Sequence, residues 1–262
     1  MKVTVVMENS IHTVKKPFLA EHGLAVLIQH DGKTILVDAG QSDALIHNLA
    51  LLGVSPTQID AIVISHGHYD HTGGLHQLLA YAGKQMPVYG GPGLFMRRCS
   101  ASGGTRRQIG VPYCQETLES VGARFITVDK PFLLAENLWI SGPVPRVTEY
   151  EKGDPNLITE QGEQDAIPDD MGLYYQCQQG LIVLSGCAHS GIINMIEHGL
   201  SVTKASRLYG VLGGTHLGPV SPSQQDATLQ QLADYQPGFL AANHCTGFPM
   251  IRRLADLFGE KF

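Results

Sequence analysis

Apolar residues alternate with polar ones, or run together in short blocks, at KVTVVM (residues 2–7), LAVLIQH (24–30) and KTILVDAG (33–40), which predicts three strands. Asp31-Gly32 between the last two is a two-residue hairpin signal. The spacing becomes helical in SDALIHNLALLGV (42–54), with Ser42 as N-cap and Gly53 as terminator. IDAIVIS (59–65) predicts a short buried strand, and GGLHQLLAYAG (73–83) a helix ending at Gly83. From Met86 to Pro168 the pattern is least regular, rich in Gly, Pro and polar residues around GGPGLFMRRCSASGGTRRQIGVP (90–112), as in a segment that covers something. Hairpin, loop and helix return in MGLYYQCQQGLIVLSGCAHSGIINMIEHGL (171–200). Strand RLYGVLGG (207–214), helix SQQDATLQQLADY (223–235), strand GFLAAN (238–243) and helix PMIRRLADLF (249–258) follow. Both halves run β then α, which predicts a single α/β domain over residues 1–262, with two sheets packed together and helices outside.

Composition narrows the partners. The chain is 43% hydrophobic, as globular proteins are, and carries a net charge of −6 with no basic block. That argues against nucleic acid and the membrane surface, although Arg106 and Arg107 could form a local cationic pocket. The five cysteines are odd in number and irregularly spaced, so no disulfide framework is expected and a reducing compartment fits. The opening MKVTVVMENS lacks an apolar signal core, and no apolar run reaches the roughly 18 residues of a membrane helix. The expected setting is the cytoplasm and the expected partner a small molecule, with self-association into a homo-oligomer left open.

The chemistry concentrates in SHGHYDHTGG (65–74), which places three histidines and an aspartate in six consecutive positions just past a buried strand. One such histidine alone is ordinarily a surface or core residue. Histidines two apart on a loop can turn their rings to one side, while Asp70 and His71 face a neighbouring position, so one loop can serve two metal ions. Neutral imidazoles suit zinc, iron, nickel or copper, and a mixed carboxylate and imidazole set suits zinc, manganese or iron.

This loop, together with LVDAG around Asp38, resembles the metallo-β-lactamase superfamily. The resemblance implies an αββα four-layer sandwich with a metal pair where the sheets meet. It implies that His66 and His68 bind one ion, that Asp70 and His71 bind the other, and that Asp38 orients a ligand. Further ligands must come from the second half, because no histidine lies between His76 and His189. SGCAHSG, GGTHLG and ANHCTG each place one just after a strand; His189 and His244 are the expected ligands, and His216 is expected to be substrate-facing or catalytic. Asp70, His216 and Asp38 form the expected catalytic set. Hydrolases of this superfamily carry Gly-Asp where this chain has Gly186-Cys187, so the bridging oxygen could be replaced by the Cys187 thiolate or by Asp169 or Asp170, or Cys187 could be a small buried hydrophobe.

EHGLAVLI, SHGHYDHTGGL, SGPVPRVTEYE, SGCAHSGIIN, GGTHL and NHCTG, in this order, are similar to the branch of 7,8-dihydropterin-6-methyl-4-(β-D-ribofuranosyl)aminobenzene 5′-phosphate synthase-like proteins. Pro143 and Gly91 stand where that branch has an acidic residue and commonly a histidine. The resemblance implies a condensation that releases pyrophosphate. Ser190, Gly191, Thr246 and Gly247 are expected at helix N-termini, where backbone N–H groups favour anions, and Arg146 is expected on a phosphate or in a surface ion pair with Glu149 or Glu151. The cofactor expected is one or two divalent ions, zinc first, then manganese or iron. Three rivals stand beside this reading: metal-dependent hydrolysis of a phosphoester, lactone or thioester; a diiron redox site, which would need a separate electron donor because little chain follows NHCTG; and a non-catalytic metal sensor.

Overall fold

The computed structural model describes residues 1–11 and 15–262. The chain forms two compact units, Met1–Val128 with Asn156–Asp165, and Asp129–Pro155 with Ala166–Phe262. The first unit contains β1 (Lys2–Met7), β2 (Ala25–His30), β3 (Lys33–Val37), α1 (Ala44–Leu51), β4 (Ala61–Val63), α2 (Tyr69–Thr72), α3 (Leu75–Ala82), β5 (Met86–Gly90), β6 (Arg98–Ser100), β7 (Arg107–Gln108), α4 (Gln115–Ser120) and β8 (Ala123–Thr127). The chain enters the second unit with β9 (Phe132–Ala135) and β10 (Leu138–Ile140), then returns to the first for β11 (Leu157–Thr159). It completes the second with β12 (Gly172–Cys177), β13 (Gly180–Ser185), α5 (Ile192–Thr203), β14 (Leu208–Gly214), α6 (Pro222–Tyr235), β15 (Phe239–Asn243) and α7 (Phe248–Phe258).

In the first unit a six-stranded sheet runs β1-β2-β3-β4-β5-β8, and a small sheet runs β11-β6-β7. β3, β4, β5 and β8 are parallel, and β4 is apolar and buried throughout, as parallel strands covered on both faces are. Leu45 and Leu49 of α1 and Leu75, Leu78 and Leu79 of α3 pack on Leu36, Ile62 and Ile64 in one core. Each fully buried leucine contributes about 2 kcal/mol. The predicted start of α1 shifts by one residue: Asp43 holds the cap position, while the Ser42 hydroxyl accepts from the Ala44 amide.

In the second unit the sheet runs β15-β14-β13-β12-β10-β9, with β13, β14 and β15 parallel. Ile192, Ile193 and Ile196 of α5, Leu229 and Leu232 of α6, and Met250 and Leu254 of α7 pack on Val183, Val211 and Leu240. The region read as irregular, 86–168, holds α4 and seven short strands, β5 to β11. Runs of two to five residues are too short to show a period; the β9–β10 hairpin turns on Asn137, at a φ of 55° that asparagine tolerates. No disulfide joins the five cysteines, and no helix among the described residues is long and apolar enough to cross a membrane.

Candidate functional site

In the first unit, β3 and β4 lie side by side and deliver Asp38 and Ser65 from their C-terminal ends. Asp38 is fully buried, with its backbone in the left-handed region at φ 59°. Its Oδ1 accepts from the Ser65 amide at 2.7 Å, and its Oδ2 accepts from the Ser65 hydroxyl at 2.8 Å and from His71 Nδ1 at 2.7 Å. Because the Ser65 hydroxyl has one proton and gives it to Asp38, it must accept from His66 Nδ1, 2.9 Å away. Both His66 and His71 are thereby held with the proton on Nδ1 and a lone pair on Nε2.

His66 Nε2 lies 2.9 Å from His68 Nδ1 and accepts its proton, while the His71 Nε2 lone pair faces an acceptor, Asp70 Oδ2, at 3.6 Å. The His66 ring centroid is 4.5 Å from that of His68 and 4.3 Å from that of His71, with all three side chains and Asp70 buried. A neutral imidazole lone pair facing a buried carboxylate repels it unless a cation lies between them, so this donor set fits a divalent ion. The loop tolerates only glycine between its first two histidines: a Cβ on Gly67 would sit 2.0 Å from the Leu94 carbonyl oxygen and 3.0 Å from Arg98 Nη1. Arg98 is itself fully buried, paired through Nε with Asp165 Oδ2 at 2.9 Å, and donates from Nη2 to the Gly93 carbonyl. Sequence reasoning missed this pair, and it also missed His22, whose Nε2 lies 3.3 Å from Asp70 Oδ2.

In the second unit the three expected histidines follow the three parallel strands in turn. Cys187 and His189 come after β13, His216 after β14 and His244 after β15, so adjacent strands bring them to one edge of the sheet. The His189 and His216 ring centroids are 4.1 Å apart, and one ligand atom from each of Cys187, His189 and His216 lies within 4.8 Å of the others; so do those of Cys187, His244 and Cys245. Ala188, His216 and His244 all hold left-handed backbone, at φ 56°, 49° and 51°. Each such residue costs on the order of 1 kcal/mol, and strain of this kind gathers at functional sites. Neither ring nitrogen of the largely buried His216 has a hydrogen-bond partner among the described residues, though Nε2 lies 3.9 Å from Asp154 Oδ2. Burial alone would lower the His216 pKa, but contact with Cys245 and the charge of Asp154 raise it. Cys245, whose Sγ accepts from the His216 amide at 3.2 Å, was passed over in the sequence; the adjacent His-Cys pair was the available signal.

Asp169 and Asp170 are buried beside this group. Asp170 accepts the Ser190 amide at Oδ2 (2.8 Å), while its Oδ1 has no hydrogen-bond partner among the described residues, and burial pushes its pKa up to about 6.

The anion contacts expected in this unit are taken by the chain itself. The Glu151 carboxylate accepts the Ile193 and Asn194 amides, both at 2.9 Å, at the N-terminus of α5. Asp170 takes the Ser190 amide and Ala188 the Gly191 amide, so neither of the two amides expected to meet a substrate anion is left for one. Arg146 donates to the carbonyls of Glu151, Ala166 and His189, at 3.1, 3.2 and 2.8 Å, so it fixes the backbone of an expected ligand, while its charge favours the ionised Glu151 carboxylate. The Thr246 hydroxyl is buried against Thr215, and the Gly247 amide bonds the His244 carbonyl at 3.4 Å. Sequence spacing locates a helix start but not the carboxylate that reaches it from 42 residues away.

The model of the metallo-β-lactamase superfamily matches residues 20–145, which include Asp38 and the whole histidine loop. A 7,8-dihydropterin-6-methyl-4-(β-D-ribofuranosyl)-aminobenzene-5′-phosphate synthase of Methanocaldococcus jannaschii is 29% identical over 94% of this chain and 88% of its own. An uncharacterized protein of the same organism is 32% identical over 97% of this chain and 94% of its own. The chain belongs to the metallo-β-lactamase superfamily. A crystal structure of a metal-dependent hydrolase of the β-lactamase superfamily aligns with a TM-score of 0.79 at 26% identity, covering 99% of this chain and 92% of its own. The α/β fold is therefore of the metallo-β-lactamase type, and superfamily membership implies that the protein binds a divalent metal.

Proposed function

We propose that the protein is a divalent-metal-dependent enzyme acting on a small phosphorylated or otherwise anionic substrate. One observation carries this reading: His71 Nε2 and Asp70 Oδ2 face each other at 3.6 Å in a buried loop, with the other nitrogen of His71 already committed to Asp38. In the first unit His66, His68, Asp70 and His71 would hold metal. In the second His189 and His244 would do so, with Cys187 or Asp170 as a further donor. Imidazole and carboxylate donors favour zinc, then manganese or iron. When bound, the metal would supply positive charge to offset charge building on phosphate oxygens. Asp38 positions His71 and, through Ser65, His66. Asp70 and His216 would hold or move a proton, a role supported by their neighbours His22, at 3.3 Å, and Asp154, at 3.9 Å.

Within that class we favour condensation of a dihydropterin diphosphate with an arylamine, with loss of pyrophosphate; similarity to the synthase over nearly the whole of both chains supports it. Hydrolysis is the second reading, supported by the metal-dependent hydrolase to which the chain is 26% identical. The proposed setting is cytoplasmic, with a small-molecule partner and neither nucleic acid nor membrane. The test is elemental analysis of protein purified without added metal, followed by two assays, one with a chromogenic phosphodiester and one with the diphosphate and arylamine pair. His68→Ala should lose metal and turnover while melting within a few degrees of the wild type. Unchanged metal content in that variant overturns the ligand assignment.

A further inference from the structure

Beside the histidine loop, wholly within the first unit, lies a cleft of about 670 Å³, inside the usual range for small-molecule sites. Three half-buried rings, Tyr69, Phe95 and Tyr113, line it. Each ring is held by another group. Arg107 donates to the Tyr69 hydroxyl at 3.2 Å, with its guanidinium carbon 5.1 Å from the ring centroid. Phe95 meets Phe125 edge-on at 5.0 Å, and Tyr113 stacks on His76 at 5.0 Å. Tyr69 stands between His68 and Asp70, and its amide donates to the Ile109 carbonyl, which ties the cleft wall to the histidine loop.

The polar part of the lining is selective. Gln108, Gln115 and Glu116 offer acceptors as well as donors at the edge of the cleft, and Arg97, the cation in the lining, is already paired with Glu160 at 3.1 Å. The Glu116 carboxyl is held below its ordinary range by its own backbone N–H and by Cys114, so near neutral pH it acts as an acceptor only. Fixed aromatic walls favour a flat ring, and spare acceptors favour N–H groups on its edge.

We propose that this cleft binds the uncharged planar heteroaromatic ring of the substrate, stacked among Tyr69, Phe95 and Tyr113 with its N–H edge toward Glu116 and the two glutamines. The proposal deepens the metal-enzyme reading, which places the anionic end of the substrate near the histidine loop, but ring binding can be measured without turnover.

The experiment titrates metal-loaded protein with pterin, a fluorescent bicycle bearing N–H donors, and with quinoxaline, an uncharged bicycle of similar size without them. Saturable binding of pterin and at least tenfold weaker binding of quinoxaline are expected. Tyr113→Ala and Phe95→Ala should each raise the pterin Kd about tenfold. Glu116→Gln, an exposed change that leaves the fold alone, should narrow the preference for pterin over quinoxaline, with metal content unchanged in every variant. Absence of saturable pterin binding up to about 1 mM, a wild-type Kd in Tyr113→Ala or in Glu116→Gln, or equal binding of the two bicycles overturns the proposal. Failure of the metal reading shows differently, as protein that binds pterin but holds no metal.

Discussion

Replacing Asp38 by Asn should abolish tight metal binding while sparing the fold. The carboxylate accepts three hydrogen bonds, one at Oδ1 from the Ser65 amide and two at Oδ2, from the Ser65 hydroxyl and His71 Nδ1. Asn keeps the oxygen for the amide and puts an NH2 group where Oδ2 was, with two protons for those two partners. The network can then be satisfied with its polarity reversed. His71 Nδ1 becomes an acceptor, the Ser65 hydroxyl accepts from Asn and donates to His66 Nδ1, and both rings are driven to carry their proton on Nε2. The lone pairs that face His68 and Asp70 are lost together. Breaking one partner of a ligating histidine typically costs 10- to 100-fold in metal affinity; with two rings affected, Asp38→Asn should lose at least about 100-fold, or about 2.7 kcal/mol. The metal-free fold should lose only about 1 kcal/mol, because every buried donor keeps an acceptor. Asp38→Ala instead strands three donors and should destabilise the fold by several kcal/mol. Competition titration of zinc against a chromophoric chelator, with thermal melting of the metal-free variants, separates the two outcomes. Wild-type zinc affinity in Asp38→Asn refutes the proton assignment and the role given to Asp38.

Arg98→Met leaves Asp165 buried without its cation and should cost about 3–5 kcal/mol in urea unfolding, whereas Arg98→Met with Asp165→Leu should recover most of that loss. A single variant as stable as wild type would show that the pair does not stabilise the region under the histidine loop. Burial raises the folded-state pKa of Glu151 above its ordinary 4.5, outweighing the Ile193 and Asn194 amides that favour the carboxylate. A raised acid contributes stability that is fully present below the unfolded value and is lost as pH climbs through the folded value. The melting temperature of metal-free protein should therefore carry a falling component above pH 4.5 that Glu151→Gln removes, and equal slopes in the two proteins would contradict this.

What could be read from the chain and what could not differ in one physical respect. The histidine loop was legible because its donors sit within six positions, where local geometry alone decides what they can share. The second-half histidines were legible because each follows a strand, and parallel strands deliver their C-terminal ends to a common edge. Arg98 with Asp165, and Glu151 with the start of α5, were not, since a charge seated in the interior has no periodicity and its partner lies 67 or 42 residues away. The same distance explains why the anion site expected at Ser190 and Gly191 is closed. A helix N-terminus attracts whichever carboxylate arrives first, and here the chain supplies Glu151 and Asp170 before any substrate can bind. Recognition of an anionic substrate must therefore draw on other groups. In each unit the strongest candidates are the clustered histidines, which attract a cation first and an anion only through it.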